Sequence, residues 1–258
     1  MNWLLFELAA PLASFGGVAP GTIRDTELLP TRSAVLGLLA AACGIERDDV
    51  DGQRRLGDGL LIAARVNADA ALLRDFHSAQ APPEAALRGR PRRTRRDELA
   101  VAKDDLNAVL SDRYYYTTYA ATVGIACEDG GRLATLEAAL RRPRFVLYAG
   151  RKSCPLAWPL DPHQVEADDW AQALQLHEDR AIPRLAEFGR FGVDRWLRSR
   201  GGNYTHVGDA GEGEGKGVLP GELGGIAHVV VRRDVPVDTR RRLFKERPQW
   251  RIGRESKP

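Results

Sequence analysis

PTRSAVLGLLAAACG, residues 30–44, reads as one complete helix with both ends specified. Thr31 and Ser33 put hydroxyls where the first free backbone N–H groups need an acceptor, and Gly44 supplies a residue able to adopt the left-handed conformation that ends a helix. Upstream, residues 3–9 form an apolar run stopped by Pro11; downstream, residues 60–66 form a second run of strand length. Strand, helix and strand make one βαβ unit.

The pattern recurs. Residues 119–127 alternate as a strand, Leu133, Leu136 and Leu140 sit at helical spacing, Pro143 ends that helix, and residues 145–148 read as a further strand. Two such units in tandem predict an α+β class and a ferredoxin-like (RNA-recognition-like) βαββαβ domain over residues 1–150. Fold alone assigns no function.

Between the units lies an insertion at about residues 67–118, read as an arm that leaves the domain. Its middle holds Arg88, Arg90, Arg92, Arg93, Arg95 and Arg96, with Gly89, Pro91 and Thr94 between them and neither lysine nor carboxylate. Guanidinium groups bind phosphate bidentately and stack on bases. Extended at about 3.3 Å per residue, the run reaches roughly 30 Å, enough to track several nucleotides. Residues 97–110 fit a short helix with Leu99, Leu106 and Leu110 as its apolar positions. Residues 151–258 read as a smaller C-terminal β region, with a mobile Gly-rich loop at 201–225, a strand at 226–232 and a second basic group, Arg240 to Arg242.

Bulk composition narrows the function. The chain has 258 residues, and 38 basic against 35 acidic side chains leave only +3, so the arginine run is a local feature rather than part of a generally basic protein. A 43% hydrophobic content excludes wholesale disorder. The apolar stretch 34–45 falls short of the roughly 20 residues that span a bilayer, and the start carries Glu7 and lacks the features of a signal peptide. Cys43, Cys127 and Cys154 are too scattered for a disulfide framework or a CxxC zinc site, which points to a reducing, cytoplasmic compartment. The histidines lack metal-binding spacing, and no cofactor is implied.

Four short constellations carry anion-binding chemistry. At Thr31, Arg32 and Ser33, hydroxyls, a guanidinium and a helix N-terminus converge, with Arg24 near enough in sequence to join. A phosphate cradle and a simple helix cap with a solvated Arg32 both fit. At the base of the arm, Phe76 can stack on a base and His77 can hydrogen-bond or donate a proton. Tyr114, Tyr115 and Tyr116 follow Arg113, and strand alternation buries one or two of them, leaving Tyr115 as the stacking candidate. Gly150 turns the chain so that Arg151, Lys152 and Ser153 present two cations and a hydroxyl, which suits a phosphodiester or simply a solvated turn. None of the four supplies paired carboxylates or a metal centre, so binding is favoured over catalysis.

The segments PTRSAVLGLLAAACGIERDD (30–49), RDFH (74–77) and GRKSCPL (150–156) closely resemble, in the same order, the CasD family, subunits of the type I-E CRISPR Cascade complex. The resemblance covers about the first 160 residues. It implies a ferredoxin-like domain with a protruding thumb and a non-catalytic role holding the 5′ handle of the CRISPR RNA. It also implies contacts to the Cascade backbone subunit and large subunit, with target DNA engaged only indirectly. The inserted arm becomes the thumb, and Arg90, Arg92, Arg93, Arg95 and Arg96 its grip on RNA. Sequence would be read by base pairing, not by this chain.

Two other classes remain open. Some relatives cut repeat RNA without metal, and here His77, Lys152 and residues 114–116 offer acid–base groups for such an endoribonuclease. A stand-alone single-strand binder is the other.

Overall fold

The computed structural model describes residues 1–17, 21–67, 70–187, 204–210, 217–223 and 227–253. In chain order the elements are β1 (Asn2–Ala13), β2 (Ile23–Arg24), α1 (Arg32–Cys43), α2 (Val50–Gly57), β3 (Leu61–Asn67), β4 (Ala71–Ala81), α3 (Arg95–Leu99) and β5 (Asn107–Cys127). Then come α4 (Gly130–Arg141), β6 (His163–Glu166), α5 (Trp170–Glu187), β7 (Tyr204–Asp209), β8 (His228–Asp238) and β9 (Leu243–Gly253).

β1 is apolar without alternation because both of its faces are covered. Leu4, Phe6 and Leu8 enter the core that also holds residues of α1 and α4; Trp3 and Leu5 enter a second core with Trp170 and Trp250. The strand does not stop at Pro11 as its sequence suggested. The N–H of Glu7 and the carbonyl of Ala9 bond to Leu160 and Ala157, away from β5, so Pro11, of the same parity, turns its missing N–H away from the central ladder.

α1 forms as read. Thr31 Oγ1 accepts from the Ala34 N–H at 3.2 Å, and Gly44 closes the helix at φ +77°. α2, capped by Asp49, was not anticipated.

The fold is mixed α/β around a mostly antiparallel nine-stranded sheet, in the order β6-β1-β5-β3-β7-β9-β8, with β2 and β4 added to the distal half of β5. α1 joins β1 to β3 on either side of β5, and α4 joins β5 to β6 on either side of β1. The sheet runs on without a break from β3 into β7, so the C-terminal strands extend the first sheet.

Three local expectations are corrected. Residues 145–148 are not the strand that completes the second unit. The N–H groups of Arg144 and Phe145 bond to the carbonyls of Ala42 and Ala41 at the end of α1, and the place beside β1 goes to β6. Nor do residues 97–110 form one helix: α3 ends at Leu99, and residues 107–110 are strand, paired with β4. Part of the Gly-rich stretch is β7, with Asp209 buried; residues 201–203, 211–216 and 224–226, with Glu212, Glu214 and Lys216, lie outside the described residues.

Two glycines let tryptophans approach the sheet closely. A Cβ on Gly124 would stand 2.4 Å from the Trp170 ring, and one on Gly208 2.3 Å from that of Trp250. Four ionised side chains stitch the C-terminal strands to the start of α1. Arg32 pairs with Asp209 at 2.5 Å, Arg247 with Asp209 at 2.5 Å and with Asp234 at 2.8 Å, and the Arg32 backbone N–H donates to Asp234 at 2.8 Å. Burial pushes the Asp209 carboxyl up, and the two guanidinium groups oppose that shift.

Candidate nucleic-acid interface

The inserted arm is a two-stranded hairpin. β4 pairs antiparallel with residues 107–117 of β5, from Ala71↔Thr117 at the base to Ala81↔Asn107 near the tip. β5 has two halves: residues 119–127 are buried in the core, whereas most of 107–118 is partly or fully exposed. At the junction Thr118 stands opposite Pro11 with a left-handed φ of +52°.

Directly opposed residues share a face of an antiparallel pair, so the register sorts the arm's side chains. Leu72, Arg74 and Phe76 lie with Tyr116, Tyr114 and Asp112; Leu73, Asp75 and His77 lie with Tyr115, Arg113 and Ser111 on the other face. Arg74 grips Asp112 through two hydrogen bonds of 3.0 and 2.9 Å. Phe76 is 62% exposed, free to stack. His77 Nε2 lies 2.5 Å from the Asp75 carboxylate.

The arginine run occupies the tip. Its residues are exposed, and Thr94 caps the single turn of α3 in a reciprocal box with Asp97. Arg92 pairs with Glu84 at 2.9 Å, Arg95 with Glu98 at 2.7 Å, and Arg90 donates to the Ala100 carbonyl. Exposed pairs of this kind contribute roughly 0–1 kcal/mol, so a phosphate competes with them on good terms. The side chains of Arg88, Arg93 and Arg96 have no protein partner among the described residues.

Where the arm leaves the sheet, a groove of about 900 Å³ opens, lined by Arg24, Thr31, Ser33 and Arg151 from two of the constellations read in the sequence. β2 carries Arg24 alongside Arg113 of β5, joining the groove to the arm's base. Gly150 is obligatory here: its φ is +84°, and a Cβ would stand 2.0 Å from the Ser14 carbonyl oxygen. The turn aims Arg151 inward, where its guanidinium covers the Tyr115 ring at 4.9 Å and donates to the Arg24 carbonyl at 2.9 Å.

The profile of the family described as CRISPR-associated protein (Cas_Cas5) matches residues 3–214. The chain belongs to the CasD/Cas5 family. It is 30% identical over 188 residues to the CRISPR system Cascade subunit CasD of Escherichia coli (strain K12), an alignment covering 69% of this chain and 77% of that one. In fold it resembles a chain of a CRISPR RNA-guided surveillance complex, with a TM-score of 0.60 at 20% identity, covering 97% of this chain and 89% of the other. It also resembles a structure titled Crystal structure of Cas protein, with a TM-score of 0.53 at 24% identity and coverage of 97% and 94%.

Not every predicted residue of this CasD/Cas5 protein is left available to a ligand. Arg32 is spent internally, on Asp209 and on the carbonyls of Gly57 and Leu60, and Asp234 already occupies a free N–H at the start of α1. The phosphate cradle read there is therefore filled by the protein's own carboxylate. Thr31 is buried and serves as the cap, with Ser33 bonded to it at 3.1 Å. Tyr115 is only 5% exposed under Arg151, which corrects its reading as the free stacking tyrosine. Lys152 and Ser153 sit exposed on the turn, outside the groove lining. Burial raises the Cys154 thiol, as befits a packed side chain.

The sequence reading missed Arg47, Phe145, Tyr148 and Phe244, all of which line the groove. Arg47 enters the sequence reading only inside the segment 30–49 that carries the resemblance, and Phe145 and Tyr148 are read there as part of a strand. Among the described residues, no helix is long and apolar enough to cross a membrane, and no group of three or more His, Cys, Asp or Glu could hold a metal ion.

Proposed function

We propose that this protein is a non-catalytic RNA-binding subunit of a type I-E Cascade complex. It holds the 5′ handle of the guide RNA and caps the backbone filament, in contact with the backbone and large subunits and only indirectly with target DNA. The observation that carries this reading is β5, one strand of 21 residues that runs from the buried sheet into an arm tipped by the arginine run. A continuous ladder gives the arm a rigid base, and its tip presents guanidinium groups to phosphate. The name of the relative from Escherichia coli supports placement in Cascade. The order β6-β1-β5-β3, with α1 and α4 as crossovers, supports a ferredoxin-like unit with the β4–β5 hairpin as its thumb.

The endoribonuclease reading finds less support. His77 lies on the opposite face of the hairpin from Tyr114 and Tyr116, and Tyr115 is covered by Arg151. Burial, then the charges of Glu27 and Asp25, pushes the Tyr116 hydroxyl up, away from use as a base near neutrality. The test is co-expression with the other Cascade subunits and a guide RNA, followed by incubation of the pure chain with repeat RNA in EDTA. The expected result is an RNA-containing complex and uncut repeat RNA. Specific cleavage lost on His77→Ala, or an assembled complex indifferent to removal of this subunit, would overturn the reading.

A further inference from the structure

We propose that the first half of β8 is an open edge for strand addition, taking an extended segment of another polypeptide in which apolar and acidic residues alternate. The surface stands apart from the arm and from the groove, since none of residues 228–233 and 247–251 lines the latter. It also follows residues 3–214, the part matched by the family profile.

The backbone makes the first part of the case. β8 ends the sheet, and among the described residues no strand pairs with its outer side. The Ala210 N–H donates to the Pro248 carbonyl at 3.3 Å, so the backbone of Pro248 points to β7. The polar groups of Arg247, Gln249 and Arg251 then point to β8, where they meet Arg232, Val230 and His228. Val229 and Val231, of the opposite parity, turn their N–H and C=O groups outward. Such a row of alternating donors and acceptors is matched by another extended backbone.

Proteins blunt free edges with proline and bulges. The second half of β8 has both: Pro236, and register shifts between Arg233 and Val235 and between Pro236 and Asp238. Residues 228–233 carry neither, and the edge there is left open to pairing.

Side chains select the guest. Val229 and Val231 share a face with Trp250 and Pro248, and each is 67% exposed where Trp250 itself is buried in the second core. The other face carries His228, Val230 and Arg232 beside Arg251, Gln249 and Arg247. Arg247 is spent on Asp209 and Asp234, and Arg232 pairs with Glu27 at 3.0 Å. Arg251 is partly buried, and its guanidinium has one hydrogen bond among the described residues, to the Gln249 side-chain oxygen at 3.4 Å. Burial, then the charge of Arg232, pushes its pKa down, a field that an arriving carboxylate relieves.

Because successive side chains of a strand point to opposite faces, an alternating guest sets apolar groups on Val229 and Val231 and a carboxylate on Arg251. A second copy of this chain is the poorer occupant: antiparallel self-pairing centred on Val230 draws the cations Arg232 and Arg251 of both copies together, and opposed like charges destabilise a sheet. RNA brings phosphates but no ladder of donors and acceptors at strand spacing.

The test uses the full chain and a short labelled peptide of alternating glutamate and valine, followed by fluorescence anisotropy and hydrogen exchange. The peptide is expected to bind and to slow exchange of the Val229 and Val231 N–H groups. Val231→Pro removes an outward N–H and no ladder bond, so it should keep the melting temperature and abolish binding. N-methylation of the peptide backbone should do the same with the protein unchanged. Arg251→Gln should weaken binding about tenfold, the loss of one charge-assisted hydrogen bond. Equal affinity for a lysine–valine peptide, or binding that survives both N-methylation and Arg251→Gln, would overturn the proposal. Dimerisation of the chain lost on Val231→Pro would make a second copy the occupant, and displacement of the peptide by oligouridine would make the edge a nucleic-acid surface; either result also refutes it. RNA binding through the arm should be unchanged in both variants, which keeps the two readings separable.

Discussion

Arg32 and Asp209, 177 residues apart in the chain, meet at 2.5 Å in an ion pair whose side chains are 11% and 9% exposed. The pair joins the start of α1 to the end of β7, and Arg247 and Asp234 extend it to β9 and β8. Breaking a buried pair from one side strands the remaining charge, which costs about 3–5 kcal/mol. Asp209→Ala is therefore expected to lower stability by that order in urea unfolding, while Asp51→Ala, at an exposed pair with Arg54, should change it by less than about 0.5 kcal/mol.

Salt dependence reports on the arm. If it neutralises about five phosphates, RNA affinity falls on the order of 100-fold between 50 and 200 mM salt, using the single-strand slope of about −0.7 per contact. Replacing Arg92, Arg93, Arg95 and Arg96 by alanine should flatten that slope, and titrations by anisotropy at several salt concentrations measure it. An unchanged slope would place the RNA elsewhere.

Phe76 separates binding from stability. It is 62% exposed on the hairpin, so Phe76→Ala should leave the melting temperature nearly unchanged. If a base stacks on it, affinity drops by about 1–3 kcal/mol.

Thr118 holds φ +52° opposite Pro11, at the junction of arm and core. A β-branched residue there bears roughly 1–2 kcal/mol of left-handed strain, which asparagine tolerates better. Thr118→Asn is expected to raise stability by about 0.5–1 kcal/mol in denaturant titrations.

The second core imposes a pH dependence. His163 stacks on His177 at 4.9 Å, and burial, then the neighbouring His177 and Arg180, hold its pKa at about 4; burial and then Arg65 hold His206 at about 4. Histidines kept neutral below their ordinary 6.5 contribute stability that is present above pH 6.5 and lost as pH falls toward 4. Burial alone would raise the Glu7 carboxyl, but the hydrogen bond from His177 and the charges of His177 and Arg65 outweigh it and hold it low, so its contribution is lost further down. Urea midpoints should begin to fall near pH 6.5, and His163→Asn should make the fall shallower. A midpoint flat down to pH 5 would contradict this account.

Much of the fold was legible because local signals agreed with the tertiary outcome. α1 carries its own cap and stop in Thr31 and Gly44, and the apolar run of β1 announced a strand, which the structure covers on both faces. Residues 145–148 misled because a short apolar run does not say what it will pair with; they went to the end of α1 and left Val146 83% exposed. Leu99, Leu106 and Leu110 were mistaken for one helix face because three leucines cannot distinguish a helix from a turn followed by a strand.

The sequence by itself determined the family, helix α1 with its cap and stop, and the clustering of the arginine run, since motifs, caps and charge clusters are properties of neighbouring residues. Only the tertiary structure decided which cations remain available. Arg32 and Arg93 look alike along the chain, but one meets Asp209 across 177 residues and the other meets solvent. Pairing between distant charges depends on which strands adjoin, and that is settled by packing the whole sheet.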